Sequence, residues 1–245
     1  MTQYATQQLL TRWEDRRTCQ NIAGKVSQSY LIKEEYLIYD RFWSTREDVC
    51  LGVNQGWYYG KAAVQGYYKA LEEQTRLWSR LMKDYFQKYL GDKTEEECFG
   101  VGQLGYKPLD TCVLEVAGDG QTAKGLWCIR GGYVRITGSG MVSNTEYGYL
   151  AIDFIKEDGQ WKIWHMQNLD DIDHPSGTSW ADPAPEFEAV PEFAEAEAFQ
   201  FPEPNVKTVL RETYHNLRPF TPSPEPPVPY DTFAHTFSYG MQKED

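Results

Sequence analysis

Apolar and polar residues alternate with a period of two through residues 149–167, on either side of Asp158-Gly159. Asp-Gly between two such runs predicts a hairpin closed by a two-residue turn, whose twist matches that of the strands. With that loop, Phe154 faces Ile163, Ile152 faces His165 and Leu150 faces Gln167, while Asp153 sits beside Trp164 on the opposite face. One face then reads Leu150, Ile152, Phe154, Trp161 and Ile163, followed by His165 and Gln167. An apolar face that turns polar at one end describes a pocket wall. Two more strands are predicted at 111–117 and 121–129 around Gly118-Asp119-Gly120, with Glu115 opposite Lys124 as an opposite-charge pair. That register sends Cys112, Leu114, Val116, Ala123 and Trp127 to the other face.

A period near 3.6 governs the earlier chain. Residues 4–43 predict two helices, with Leu9, Trp13, Ile22, Val26, Tyr30 and Tyr36 recurring at helical intervals and no proline between them. A short strand at 49–53 leads to Asn54-Gln-Gly-Trp-Tyr-Tyr-Gly60, and residues 61–90 predict a long helix ending before Gly91. The Gly-rich stretch 131–140 predicts a loop or an interrupted strand. Helices followed by a mostly antiparallel sheet make an α+β domain over residues 1–170.

The pattern changes after Asp170, because 12 of the 13 prolines lie between Pro175 and Pro229. A second core cannot form there, yet Trp180, Phe193, Phe201, Tyr230, Phe233, Phe237 and Tyr239 are more aromatics than a disordered tail carries. Residues 171–245 are therefore expected to be an extended strap docked on the body or on a partner subunit, with a helix at about 205–217.

The net charge of −12 resides mostly in that extension, which carries −10 and leaves −2 for residues 1–170. No basic patch is present to neutralise phosphates, which argues against nucleic-acid binding. Five cysteines without C-x-x-C spacing argue against a disulfide framework or a thiolate zinc site and fit a reducing cytoplasm. No apolar run has the length of a signal peptide core or a membrane span, so no membrane association is expected.

The helical N-terminus, the Gly56-x-x-x-Gly60 turn into a long helix, the 113–127 strand pair and Asp153-Phe-Ile-Lys-Glu-Asp-Gly-Gln-Trp-Lys-Ile-Trp-His165 together resemble the SnoaL-like branch of the nuclear transport factor 2-like superfamily. The resemblance covers about residues 10–170. It implies a cone of helices and curved sheet around an apolar cavity, no metal or organic cofactor, and homo-oligomers of dimer size or larger. Among the branch's dehydratases, cavity tyrosine, aspartate and histidine side chains share proton transfer. Here Tyr30 stands on the early helix, followed by Lys33-Glu34-Glu35-Tyr36. Gln103-Leu104-Gly105-Tyr106 occupies the place where such enzymes often carry histidine.

His165 is the one histidine before residue 170 and, with an ordinary pKa near neutrality, suits general acid–base work; a buried imidazole bonded to a carbonyl is the alternative. Tyr30 is the second catalytic candidate, as a donor to a developing oxyanion. Gln103 and Gln167 are candidates to orient a substrate oxygen, and Trp57, Tyr58 and Trp127 to wall an aromatic ligand, against ordinary core packing. Asp153 is expected at an oligomer contact. His165, Asp170, Asp171, Asp173 and His174 match no metal-ligand spacing. The sequence thus points to a cofactor-independent dehydratase or isomerase acting on an apolar, oxygenated aromatic or polycyclic small molecule. The alternative is a non-catalytic binding or assembly module in which the extension builds a homo-oligomer.

Overall fold

Two helices open the chain, α1 (Thr6–Leu31) and the short α2 (Ile38–Phe42). The structure is a computed structural model and describes residues 6–181, 188, 190–219 and 223–241; Tyr4, within the first expected helix, lies outside them. A hairpin of β1 (Cys50–Val53) and β2 (Gly56–Tyr59) leads to α3 (Lys61–Tyr85). Gly60, at φ +91°, makes the sharp entry into α3, a conformation that costs a residue without Cβ little. The long helix breaks at Phe86 before the single turn α4 (Gln87–Leu90). Then follow β3 (Leu104–Tyr106), β4 (Leu109–Val116), β5 (Thr122–Thr137), β6 (Gly140–Glu157) and β7 (Gln160–Pro175), and in the extension α5 (Ala194–Ala198) and β8 (Val206–Lys207).

The described strands form one curved mixed sheet in the order β3-β5-β6-β7-β1-β2-β8, with β4 also on β5. Every pairing is antiparallel except that of β1 with β7. Its inner face carries Leu114, Val116, Trp127, Ile129, Leu150, Ile152, Phe154, Ile163 and Met166, and α1 and α3 cover it with Cys19, Ile22, Val26, Val64 and Tyr68. This is the α+β, helix-plus-curved-sheet arrangement that the resemblance implies. Glu115 pairs with Lys124 as the strand pattern predicts.

Three local expectations are corrected. The Gly-rich stretch is continuous strand, since β5 runs to Thr137 and β6 begins at Gly140. Its glycines allow close approach: a Cβ at Gly131 would stand 1.8 Å from the Tyr106 carbonyl oxygen. The helix expected near 205–217 is absent. Val206–Lys207 extend the sheet at the open edge of β2, and the Leu210 N–H donates to the Asn54 carbonyl at 2.9 Å. Pairing with that edge satisfies backbone groups that an isolated helix would satisfy internally, and β-branched Val206, Thr208 and Val209 favour it.

The third correction matters most. Phe154 pairs with Ile163 as predicted, but the next pair is Asp153 with His165, so Trp164 is an extra residue in β7. Beyond this bulge Ile152 pairs with Met166 and Leu150 with Asn168, which moves His165 and Gln167 to the outer face. Gly131→Ala should destabilise the protein by about 1–3 kcal/mol, the usual cost of overpacking, as a lower midpoint in urea unfolding; an unchanged midpoint would show that β3 can move away.

Candidate functional site

Continued past the bulge, the inner face of β7 presents Met166, Asn168 and Asp170, and Gly148 of β6 lies opposite Asp170. The apolar-to-polar gradient is therefore real, but different residues form its polar end. Glu146 of β6 joins Asp170, and Lys107, between β3 and β4, reaches in to form a buried ion pair with Glu146. The Lys107 carbonyl accepts from Ser27 Oγ of α1, tying helix to sheet. Tyr30, in the last turns of α1, places its ring 5.1 Å from the Lys107 ammonium. Tyr67 of α3 and Glu35, in a 3₁₀ turn after α1, complete the cluster; both act electrostatically on the Tyr30 phenol.

Glu146 Oε2 and Asp170 Oδ1 are both buried without a donor of their own. The two carboxyl groups influence each other, an interaction that raises Asp170 and lowers Glu146. Burial pushes Asp170 well above the usual carboxylate range; Lys107 pulls it back, and the interaction with Glu146 adds to the rise. Burial also raises Glu146, but the Lys107 charge and the interaction with Asp170 outweigh it and hold Glu146 below its ordinary value. Asp170 is thus the more readily protonated of the two. Burial, countered in part by Lys33 at 4.0 Å, raises Glu35, whose Oε2 is buried without a partner. Burial above all keeps the Tyr30 and Tyr67 phenols protonated. The cluster so combines a carboxyl group raised by burial, a carboxylate held low by Lys107, a second carboxyl group of raised basicity, an ammonium and two phenols.

Of the residues singled out from sequence, Tyr30 belongs to this cluster and Tyr58 adjoins it, its ring 4.9 Å from that of Tyr67 and its hydroxyl donating to the Pro202 carbonyl. Trp127 packs in the core against Phe154 at 6.3 Å. Trp57 is buried elsewhere, over Gly52. Gln103 donates to Ser79 Oγ at 3.2 Å and the Thr75 carbonyl at 3.3 Å, both on α3. His165 and Gln167 face the other side. Glu35, Tyr67, Lys107 and Glu146 are not among the candidates drawn from sequence, and Asp170 is there only in the metal-ligand set. Only Asp170 had a signal, since alternation counted back from Asp170 through Asn168 to Met166 conflicts with alternation counted forward from Trp161.

On the outer face His165 meets Asp153, the residue expected at an oligomer contact. Asp153 is fully buried beneath residues 230–241. Its Oδ1 binds Lys124, and its Oδ2 accepts from His165 Nδ1 at 2.9 Å, Ser238 Oγ at 2.9 Å and the Tyr239 N–H at 2.8 Å. Ser238 Oγ also lies 3.2 Å from His165 Nδ1. Serine and aspartate therefore share one ring nitrogen, whereas a nucleophile relay needs them on opposite nitrogens. Burial raises Asp153, but the His165 hydrogen bond and the Lys124 charge together bring it below the ordinary carboxylate value.

No protein-family model and no curated protein matches the chain. Similar solved structures include a LinA-type3 hexachlorocyclohexane dehydrochlorinase from Novosphingobium barchaimii (14% identity, 71% of this chain and 99% of that one, TM-score 0.47). A putative scytalone dehydratase from Novosphingobium aromaticivorans is similar too (15%, 73% and 98%, TM-score 0.45), as is an NTF2-like protein with a cystatin-like fold from the same species (14%, 73% and 95%, TM-score 0.41). At such identities the likeness concerns the fold and says nothing of a reaction.

Two pH effects of opposite sign follow. Asp170 is raised on folding, so its contribution to stability is present at low pH and lost as pH rises through its folded value. Asp170→Asn retains a donor toward Glu146 without that ionisation, and its melting temperature relative to wild type should rise as pH increases above the ordinary aspartate value of about 4. Asp153 is lowered on folding, so its contribution is present above the ordinary aspartate pKa and lost as pH falls below it. Hydrogen exchange at the Tyr239 amide should accelerate below about pH 4 before the core amides do; simultaneous acceleration would show that the outer cluster has no separate titration.

Proposed function

We propose that the inner cluster is a proton-transfer site and that the protein is a cofactor-independent enzyme of dehydratase or isomerase type, acting on an apolar, oxygenated aromatic or polycyclic small molecule. The observation that carries this reading is the grouping of three buried carboxyl groups, each with an unpartnered oxygen, around the Lys107 ammonium. Such a grouping is an expensive arrangement for the interior of a small domain, and a useful one for moving protons. In the proposed chemistry Glu35, made more basic by burial, removes a proton from carbon. Asp170 protonates the departing or charge-gaining oxygen and Tyr30 donates a hydrogen bond to the developing oxyanion; after product release Glu35 gives up the proton it took and Asp170 takes one back by exchange with solvent. Lys107 keeps Glu146 ionised, and that charge helps to raise Asp170. The aromatic rings of Tyr30, Tyr58 and Tyr67 suit a flat apolar substrate.

The test is mass-spectrometric detection of products from hydroxylated aromatic and polycyclic compounds. Loss of water, or an isomer of unchanged mass, is expected with wild type. Glu35→Gln and Asp170→Asn should each slow turnover by about 10²-fold or more, the range of general acid–base catalysis, whereas a folded His165→Ala variant should retain it. Turnover that survives both inner substitutions and disappears with His165→Ala would overturn the assignment.

A further inference from the structure

Residues 230–241 lie across the outer face of the sheet in the manner of a peptide on a receptor. They join no strand ladder there. Single hydrogen bonds fix their backbone instead: the Gly118 N–H donates to the Tyr230 carbonyl at 2.9 Å, the Asp119 N–H to that of Asp231 at 3.0 Å and Gln167 Nε2 to that of Tyr239 at 2.8 Å. The Tyr239 N–H reaches Asp153, and the Met241 N–H reaches Cys50 Sγ at 3.3 Å. Side chains supply the selectivity. The rings of Phe233, Phe237 and Tyr239 surround the Lys124 ammonium at 4.8, 4.8 and 4.7 Å. The Tyr230 and Thr122 hydroxyls meet at 3.2 Å. Gly240 rests against His165 so closely that a Cβ would fall 2.7 Å from the ring.

The main core under α1 and α3 contains no residue of 223–241; Phe237 and Tyr239 instead form a small separate cluster with Leu126, Tyr149 and Ala151. The segment is thus recognised in detail while adding nothing to the principal core. We propose that the outer face is a peptide-recognition site, that residues 230–241 are a separable ligand for it, and that a second copy of the chain can supply that ligand in trans. Backbone bonds combined with pockets for spaced side chains are how folded domains read extended peptides. The recognised pattern is Phe-x-x-x-Phe-Ser-Tyr-Gly, with aromatics caging Lys124, a hydroxyl and an amide on Asp153, and a glycine where the chain crosses the His165 ring. Tethering gives the chain's own segment an effective concentration on the order of millimolar, so exchange between copies becomes important where chains are crowded or the tether is cut.

The experiment uses the full chain with a site-specific protease sequence inserted between residues 219 and 223 and cleaved after folding. Size exclusion reports whether the fragment stays bound, and fluorescence anisotropy follows a labelled peptide of residues 223–245. The expected result is a fragment that remains with the body, or one that leaves and is replaced saturably by the labelled peptide. Unlabelled peptide should compete, and a Gly240→Val peptide should compete about tenfold less well or worse, as overpacking against His165 implies. A fragment that leaves without the peptide rebinding would overturn the proposal. So would a body that loses its helical circular dichroism with the fragment and does not recover it on adding peptide, or equal competition by the Gly240→Val peptide.

Discussion

A β-strand sends successive side chains to opposite faces, so one extra residue reverses the facing of everything beyond it. Trp164 is that residue in β7, and the positions of the ionisable groups near the middle of the sheet depend on it. Before the bulge Trp161 and Ile163 point inward; after it Met166, Asn168 and Asp170 do, while His165 points outward beside Asp153. A second irregularity, at Asp171, sends its carboxylate to a buried ion pair with Arg211 of the extension. The two bulges thus deliver an acid to the inner face, a histidine to the outer face and an anchoring carboxylate to the strand end.

Both faces consequently contain a buried lysine paired with a carboxylate, and the two pairs are balanced differently. On the outer face Asp153 accepts three hydrogen bonds besides Lys124, so its lone pairs are well used and it stays ionised. Burying an ion pair costs several kcal/mol per ion unless such further bonds offset it. On the inner face one lysine faces two carboxyl groups, Glu146 and Asp170, and the balance lowers the first and raises the second.

The extension reaches the body at several distinct places. Phe193 packs with Leu81, Met82 and Ile136 at the end of α3. Phe201 lies 5.1 Å from the Tyr67 ring, next to the inner cluster, and Asn205 brackets the Tyr59 backbone through both side-chain polar atoms. Farther on, residues 230–241 cover the outer cluster. A proline-rich chain has little freedom to fold on itself but loses little entropy on being laid along a surface, and its aromatics provide the attachment points.

By itself the sequence determined the elements whose periodicity is local. These are the two helical regions, the Asp-Gly turns with the registers nearest to them, and the abrupt end of the apolar pattern at about residue 170. It also implied an inner face with a polar end. Hydrophobic spacing carries that information because each residue needs only its neighbours on the same helix or strand to show its side. Only the tertiary structure decided which polar residues form that end. A bulge leaves almost no local signature, being stabilised by strands and segments distant in sequence. Glu35, Lys107 and Glu146 come from three separate places and acquire their properties from one another and from burial. The continuity of β5 through its glycines and the pairing of Val206–Lys207 with β2 were decided in the same way, since a neighbouring strand can outweigh the local preference of a few residues.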